Sequence, residues 1–259
     1  MACRNSFTFT FVVVVLILVP SVLLNPGTFK DTFVKKCLAY KNEPKTCEKM
    51  WVTFQKAYVG KQSKEVLPAN YETLLKDHPY THPCDKTMLW SGVSREAGRD
   101  LVHEFTATKK IYLTLEDTWL GKTLDGLSWC GKKNSKETFT ACEKEKPNPV
   151  FSFWVKASEK MAQYACGEVT VMLDGSRREQ PLSDKSILVA TEIPNLQTPK
   201  VTKLMVVLLV KKNENQCNKQ TLKDLKKKLD EKKIAYSCKE VTETEFRNCI
   251  NTKTLGPCW

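Results

Sequence analysis

Ten cysteines standing downstream of an apolar leader constrain this 259-residue chain more than any other feature. They lie at 37, 47, 84, 130, 142, 166, 217, 238, 249 and 258, and the eleventh, Cys3, falls inside the leader. An even set in an exported chain reads as five disulfides. Ten cysteines allow about nine hundred pairings, so the residues alone leave the connectivity open. No Cys-x-x-Cys occurs, which removes zinc ribbons and thioredoxin-type redox sites. Arg4 precedes an uncharged run from Phe7 to Leu24, shorter than the roughly twenty residues of a minimal membrane span. Residues 1–24 therefore read as a signal peptide or an uncleaved signal anchor. In both cases the bulk of the chain is expected in an extracellular or luminal compartment, either secreted or anchored in type II orientation. The end of the chain, Gly256–Pro257–Cys258–Trp259, offers no hydrophobic lipid-anchor signal.

Downstream of the leader the chain changes character once. Thr28 and Asp31 have the spacing of a capping box, followed by a helical stripe of Phe29, Phe33, Val34, Cys37 and Leu38. Residues 46–58, 68–76 and 94–108 also read as helices, so residues 28–145 form a mainly helical part. Residues 146–259 form an α/β part. Gly167–Glu168–Val169–Thr170–Val171–Met172–Leu173–Asp174–Gly175 is a short strand closed by a turn. Lys203–Leu204–Met205–Val206–Val207–Leu208–Leu209–Val210 is apolar on both faces, as a buried parallel strand should be. A helix over 221–233 and a strand over 234–238 complete a βαβ unit. The expected fold is α/β with an α+β-like layout, a small parallel sheet flanked by helices.

Net charge of +12 would draw anions to the surface. An exported chain makes nucleic acid a poor partner, and the nine lysines between Lys211 and Lys233 read as the solvated face of a helix. A heparin-binding factor would rest on that charge alone. Gly-x-Ser-x-Gly, Gly-x-x-x-x-Gly-Lys and Gly-x-Gly-x-x-Gly are all absent. His78 and His82 are four apart, but Pro79 and Pro83 interrupt a continuous helix there, so they read as surface or turn histidines and no metal site is expected. Catalysis, if present, must rest on carboxylates near aromatic residues.

Six blocks carry a resemblance. They are Leu89–Trp90–Ser91, Thr114–Leu115–Glu116–Asp117–Thr118, Trp129–Cys130–Gly131, Asn148–Pro149–Val150 with Phe153–Trp154, Val171–Met172–Leu173–Asp174–Gly175–Ser176, and Glu192–Ile193–Pro194–Asn195–Leu196–Gln197. In this order, from about Phe29 to Cys258, they resemble the ADP-ribosyl cyclase family of NAD-consuming ectoenzymes. The resemblance implies an active site in a cleft between the helical part and the sheet-bearing part. It also implies cleavage of the nicotinamide–ribose bond of NAD, giving nicotinamide with cyclic ADP-ribose, ADP-ribose or both, and hydrolysis of the cyclic product.

By position, Glu192 matches the family's catalytic glutamate, and Glu116 the acidic residue tuning cyclisation against hydrolysis. Trp90 and Trp154 match the tryptophans flanking the substrate. Ser91 and Asp117 fall inside matched blocks, Asp125 matches a carboxylate contacting the carboxamide, and Ser158 a serine near the ribose. NAD is implied as substrate and not as cofactor; no metal is implied. NADP is carried as a second substrate, with base exchange as a side activity, and a homodimer is compatible with the family. Disulfides carry over as Cys37–Cys47, Cys84–Cys166, Cys130–Cys142, Cys217–Cys238 and Cys249–Cys258.

Two departures concern the cleft. Gly92 follows Trp90–Ser91 where several vertebrate relatives have a basic residue, and Ser186–Ile187–Leu188–Val189–Ala190 lacks the aromatic residue often found ahead of the catalytic glutamate. The rival reading is an inactive binding protein on the same scaffold, which should have lost the carboxylate–tryptophan set that this chain retains.

Overall fold

The computed structural model describes residues 28–93, 101–138, 142, 146–177, 180–212, 215–252 and 256–259. The leader and the first part of the helix expected over 94–108 lie outside the described residues.

Helix α1 (Phe29–Lys41) starts where the capping box was expected: Asp31 N–H donates to Thr28 Oγ1 at 3.2 Å, and Thr28 N–H returns a bond to Asp31 Oδ2 at 2.7 Å. Helix α2 (Pro44–Lys56) has Pro in its first turn, where no intrahelical donor is lost, and buries Cys47, Met50, Trp51 and Phe54 at helical spacing. The helix expected over 68–76 is two pieces, a 3-10 turn at Pro68–Tyr71 and α3 (Glu72–Asp77). Strand β1 (Met88–Ser91), helix α4 (Leu101–Lys109), α5 (Trp119–Leu124) and α6 (Pro149–Tyr164) follow. Asn148 caps α6, its Oδ1 accepting from Phe151 N–H at 2.8 Å.

Strand β2 (Gly167–Asp174) leads through a π-helical turn at Leu188–Glu192 into the short α7 (Ile193–Asn195). Strand β3 (Val201–Val210), helix α8 (Gln220–Glu231) and strand β4 (Ala235–Thr242) form the expected βαβ unit, and α9 (Glu243–Asn251) ends the order.

The four strands pair in the order β1-β2-β3-β4, all parallel. Alternate residues serve two cores. Val171, Leu173, Val206 and Leu208 pack with α1, α2, α6 and α8, while Met172, Val207 and Leu209 pack with Phe105 of α4 and Phe246 of α9. Burial on both faces is why β3 reads as an unbroken apolar run. In α8 only Leu222, Leu225 and Leu229 are buried, and its lysines face solvent as expected.

One core cluster joins the helical part to the sheet. Phe33 and Phe54 stack at 5.0 Å, Phe54 meets Trp129 edge-on at 5.1 Å, and Trp129 meets Phe153 of α6 at 5.7 Å. The buried indole of Trp129 donates to Tyr71 Oη at 2.9 Å, so its one polar atom is satisfied. All five disulfides have the implied pairing. Cys84–Cys166 closes the longest loop, 82 residues, and joins the approach to β1 with the approach to β2. His78 departs from its reading as a surface or turn histidine. It is 9% exposed and packs edge-on against Trp119 at 5.3 Å, because α3 turns it inward.

Candidate active site

Parallel strands send the loops at their carboxyl ends to one edge of the sheet, and clefts form there. At that edge a cavity of about 710 Å³ opens beside the end of β1, bounded by the turn before α5, by α6 and by the π-helical turn. Trp90 and Ser91 reach it from β1, Glu116 from the turn, Asp125 from the end of α5, Trp154 and Ser158 from α6, and Glu192 from the π-helical turn. The fold thus brings together seven of the eight residues expected there as catalytic or substrate-binding.

Asp117 is the exception. Its Oδ2 accepts from Thr114 N–H at 3.0 Å and from Thr114 Oγ1 at 2.9 Å, so its carboxylate is committed to closing the turn that presents Glu116. Thr118 continues the arrangement: its hydroxyl donates to the Leu115 carbonyl at 2.6 Å and accepts from Gly121 N–H at 3.0 Å, capping α5. A Cβ at Gly121 would lie 2.0 Å from the Leu115 carbonyl oxygen, so α5 can pack this close to the turn only with glycine there.

Trp154 and Ser158 are four apart on α6 and therefore share a face. Ser158 and Glu192 are both buried, at 5% and 7% exposure. Burial raises Glu192 and outweighs the nearby Ser158 side chain, which favours the ionised form, while the Glu116 charge acts in the same direction as burial. Together they push Glu192 up to about 8. Trp90 Nε1–H donates to Glu116 Oε2 at 3.1 Å. Burial also raises Glu116, against that bond, with Asp125 adding like-charge repulsion. The buried Glu192 and the half-buried Glu116, with Asp125 at the wall, therefore concentrate acidity where two indole faces stand.

Proline has no N–H to give to a helix, and Pro194 stands two residues after Glu192. A helical segment nonetheless runs through it. Ile193 N–H donates to the Leu188 carbonyl, five residues back, and the wider turn accommodates the proline, which brings no N–H of its own.

Residues that sequence reasoning missed also face the cleft, including His103, Lys146, Phe151 and Lys185. Lys146 sits over the Phe151 ring with Nζ 4.3 Å from its centroid. His103, Lys146 and Lys185 are ordinary surface types in a lysine-rich chain, and no local pattern marks them. Among the described residues, no group of three His, Cys, Asp or Glu side chains could hold a metal ion.

A family model described as ADP-ribosyl cyclase matches residues 26–258. The mouse ADP-ribosyl cyclase/cyclic ADP-ribose hydrolase 1 is 31% identical over 245 residues, covering 89% of this chain and 79% of that protein. The ADP-ribosyl cyclase/cyclic ADP-ribose hydrolase of Aplysia californica is 36% identical over 202 residues, covering 75% of this chain and 70% of that one. Among solved structures, porcine CD38 with a covalent intermediate, ribo-F-ribose-5'-phosphate, matches with a TM-score of 0.73 at 30% identity, covering 83% of this chain and 96% of that one. Aplysia cyclase with substrate NGD and product cGDPR matches with a TM-score of 0.72 at 30% identity, covering 84% and 90%.

Proposed function

The chain belongs to the ADP-ribosyl cyclase family, and from that membership we propose how its cleft works. It is an NAD-consuming enzyme of extracellular or luminal location, cleaving the nicotinamide–ribose bond to give nicotinamide with cyclic ADP-ribose, ADP-ribose or both. The burial of Glu192 against Ser158, beside Glu116 and in a cleft walled by Trp90 and Trp154, carries the assignment of roles.

Nicotinamide leaves the cationic pyridinium as a neutral base, so the leaving group needs no proton. Positive charge develops on the ribose, and the ionised Glu192 carboxylate stabilises it across a short, water-poor gap. Ser158 holds that carboxylate and stands near the ribose. Trp90 and Trp154 supply flat faces that orient the ring and the ribose with few rotors to freeze. Asp125 and Ser91 bound the nicotinamide end. Attack by water at the ribose carbon, with loss of the water proton, gives ADP-ribose. Attack by an adenine ring nitrogen closes the cyclic product instead. Glu116, fixed by the Trp90 indole, governs which nucleophile arrives. NAD is consumed as substrate, and no step calls on a metal or bound cofactor.

NADP is a second substrate in this reading. Residues 1–24 serve as signal peptide or type II anchor, and any homodimer lies outside the catalytic argument. The test is chromatography of NAD incubated with the purified oxidised protein and with its Glu192→Gln variant. Nicotinamide release should fall by on the order of 10³-fold or more in the variant while the fold persists. A variant turning over NAD at the wild-type rate would remove Glu192 from its role. A folded wild type releasing no nicotinamide would leave a binding protein.

A further inference from the structure

Adjacent parallel strands put the residues that follow them side by side. Ser91 of β1 stands opposite Leu173 of β2, so the backbone leaving β1 at Gly92 emerges beside the turn that leaves β2 towards Arg177. Gly92 has φ +69° and lines the cleft. A Cβ placed there would lie 2.6 Å from Arg177 Cζ and 2.8 Å from both Nε and Nη2. The guanidinium therefore occupies the volume that a side chain at position 92 would fill, reaching Gly92 from the turn after β2. Arg177 is exposed, and among the described residues neither it nor the rim lysines Lys146 and Lys185 has a carboxylate partner.

Charge is thus layered, with the buried Glu192 and the half-buried Glu116 inside and cations at the rim. A substrate with a cationic ring at one end and a diphosphate beyond the adjoining ribose matches that polarity. We infer that Arg177 is a substrate-binding residue whose guanidinium, lying over Gly92, holds the diphosphate of the dinucleotide at the cleft rim. The planar fork suits phosphate oxygens, and glycine at 92 is what lets it lie there. This rests on the proposed function for the identity of the dinucleotide.

The test compares wild type, Arg177→Ala, Arg177→Lys, Gly92→Ala and the Arg177→Ala/Gly92→Ala pair on two substrates: NAD, and nicotinamide riboside, which has no phosphate. Titration calorimetry with ADP-ribose reads the diphosphate contact without turnover. Arg177→Ala should raise KM for NAD and weaken ADP-ribose binding by about 3- to 10-fold, with kcat within twofold and the riboside unaffected. Arg177→Lys should recover part of the loss. Gly92→Ala should displace the guanidinium and act in the same direction, adding little once Arg177 is gone. Wild-type ADP-ribose affinity in Arg177→Ala, or equal losses on NAD and riboside, would overturn the inference. A wild type that binds ADP-ribose but releases no nicotinamide would defeat the proposed chemistry, and the calorimetric comparison would still decide Arg177.

Discussion

Glu192 is costly to bury and is buried nonetheless. Its usual value of 4.5 rises to about 8, so between those limits the folded chain holds a proton that the unfolded chain has released. Stability from this group is therefore fully present below about 4.5 and is lost as pH rises through 8. Glu192→Gln has no charge to bury. Its melting temperature should exceed that of wild type by several degrees at pH 8.5 and converge on it near pH 4.5, read by calorimetry across the range. A constant offset at all pH values would contradict a buried ionisable Glu192. Turnover should follow the opposite sense, because the ionised form does the work: kcat/KM for NAD should climb with pH towards a plateau above about 8. The pyridinium charge favours the carboxylate in the complex, so the kcat profile should lie at lower pH. Glu116 acts on the outcome more than on bond cleavage. Glu116→Gln keeps an oxygen acceptor for the Trp90 indole and removes the charge. The expected result is a changed ratio of cyclic to linear product with nicotinamide release within about tenfold of wild type, by the same chromatography.

Elements set the precision of these residues. The turn carrying Glu116 is shaped by Asp117 and Thr118 and backed by α5 at the close approach of Gly121 to the Leu115 carbonyl. Gly121→Ala forces backbone apart and should cost about 1–3 kcal/mol in denaturant unfolding, with a fall in turnover beyond what unfolding explains. A variant with wild-type stability would show that the turn tolerates displacement. The π-helical turn does for Glu192 what the 114–118 turn does for Glu116, and α6 answers it with Ser158. Both carboxylates thus sit on short irregular segments held by regular neighbours, a common way to aim a side chain at a pocket.

At the scale of the whole molecule, a parallel sheet covered on both faces leaves its carboxyl edge as the open place for a cleft. The helical part closes that edge because its aromatic cluster is continuous with α6 through Trp129 and Phe153. Cys84–Cys166 ties the starts of the two strands nearest the cleft. In a chain-entropy view its 82-residue loop contributes about 4 kcal/mol, much of a typical domain's net stability. The arrangement also separates charge, acid inside and base at the rim, which would align a dinucleotide before any specific contact forms.

Much of this is written locally. The capping box at Thr28, the apolar run of β3 and the leucine stripe of α8 are short-range patterns, and each has the structure its spacing predicts. The ordered motif blocks made the cleft residues legible through family resemblance. Tertiary structure alone decided the rest. Strand β1 is four residues long and is held by pairing with β2 and by the bridge to Leu113. Asp117 and Glu116 are sequence neighbours of the same charge, yet one closes a turn and the other faces the cleft. His78 is buried by Trp119, and Arg177 lies over Gly92 from the turn after β2. The reason is common to all four: desolvation, strand pairing and close approach depend on which distant segments arrive, and no local window contains that information.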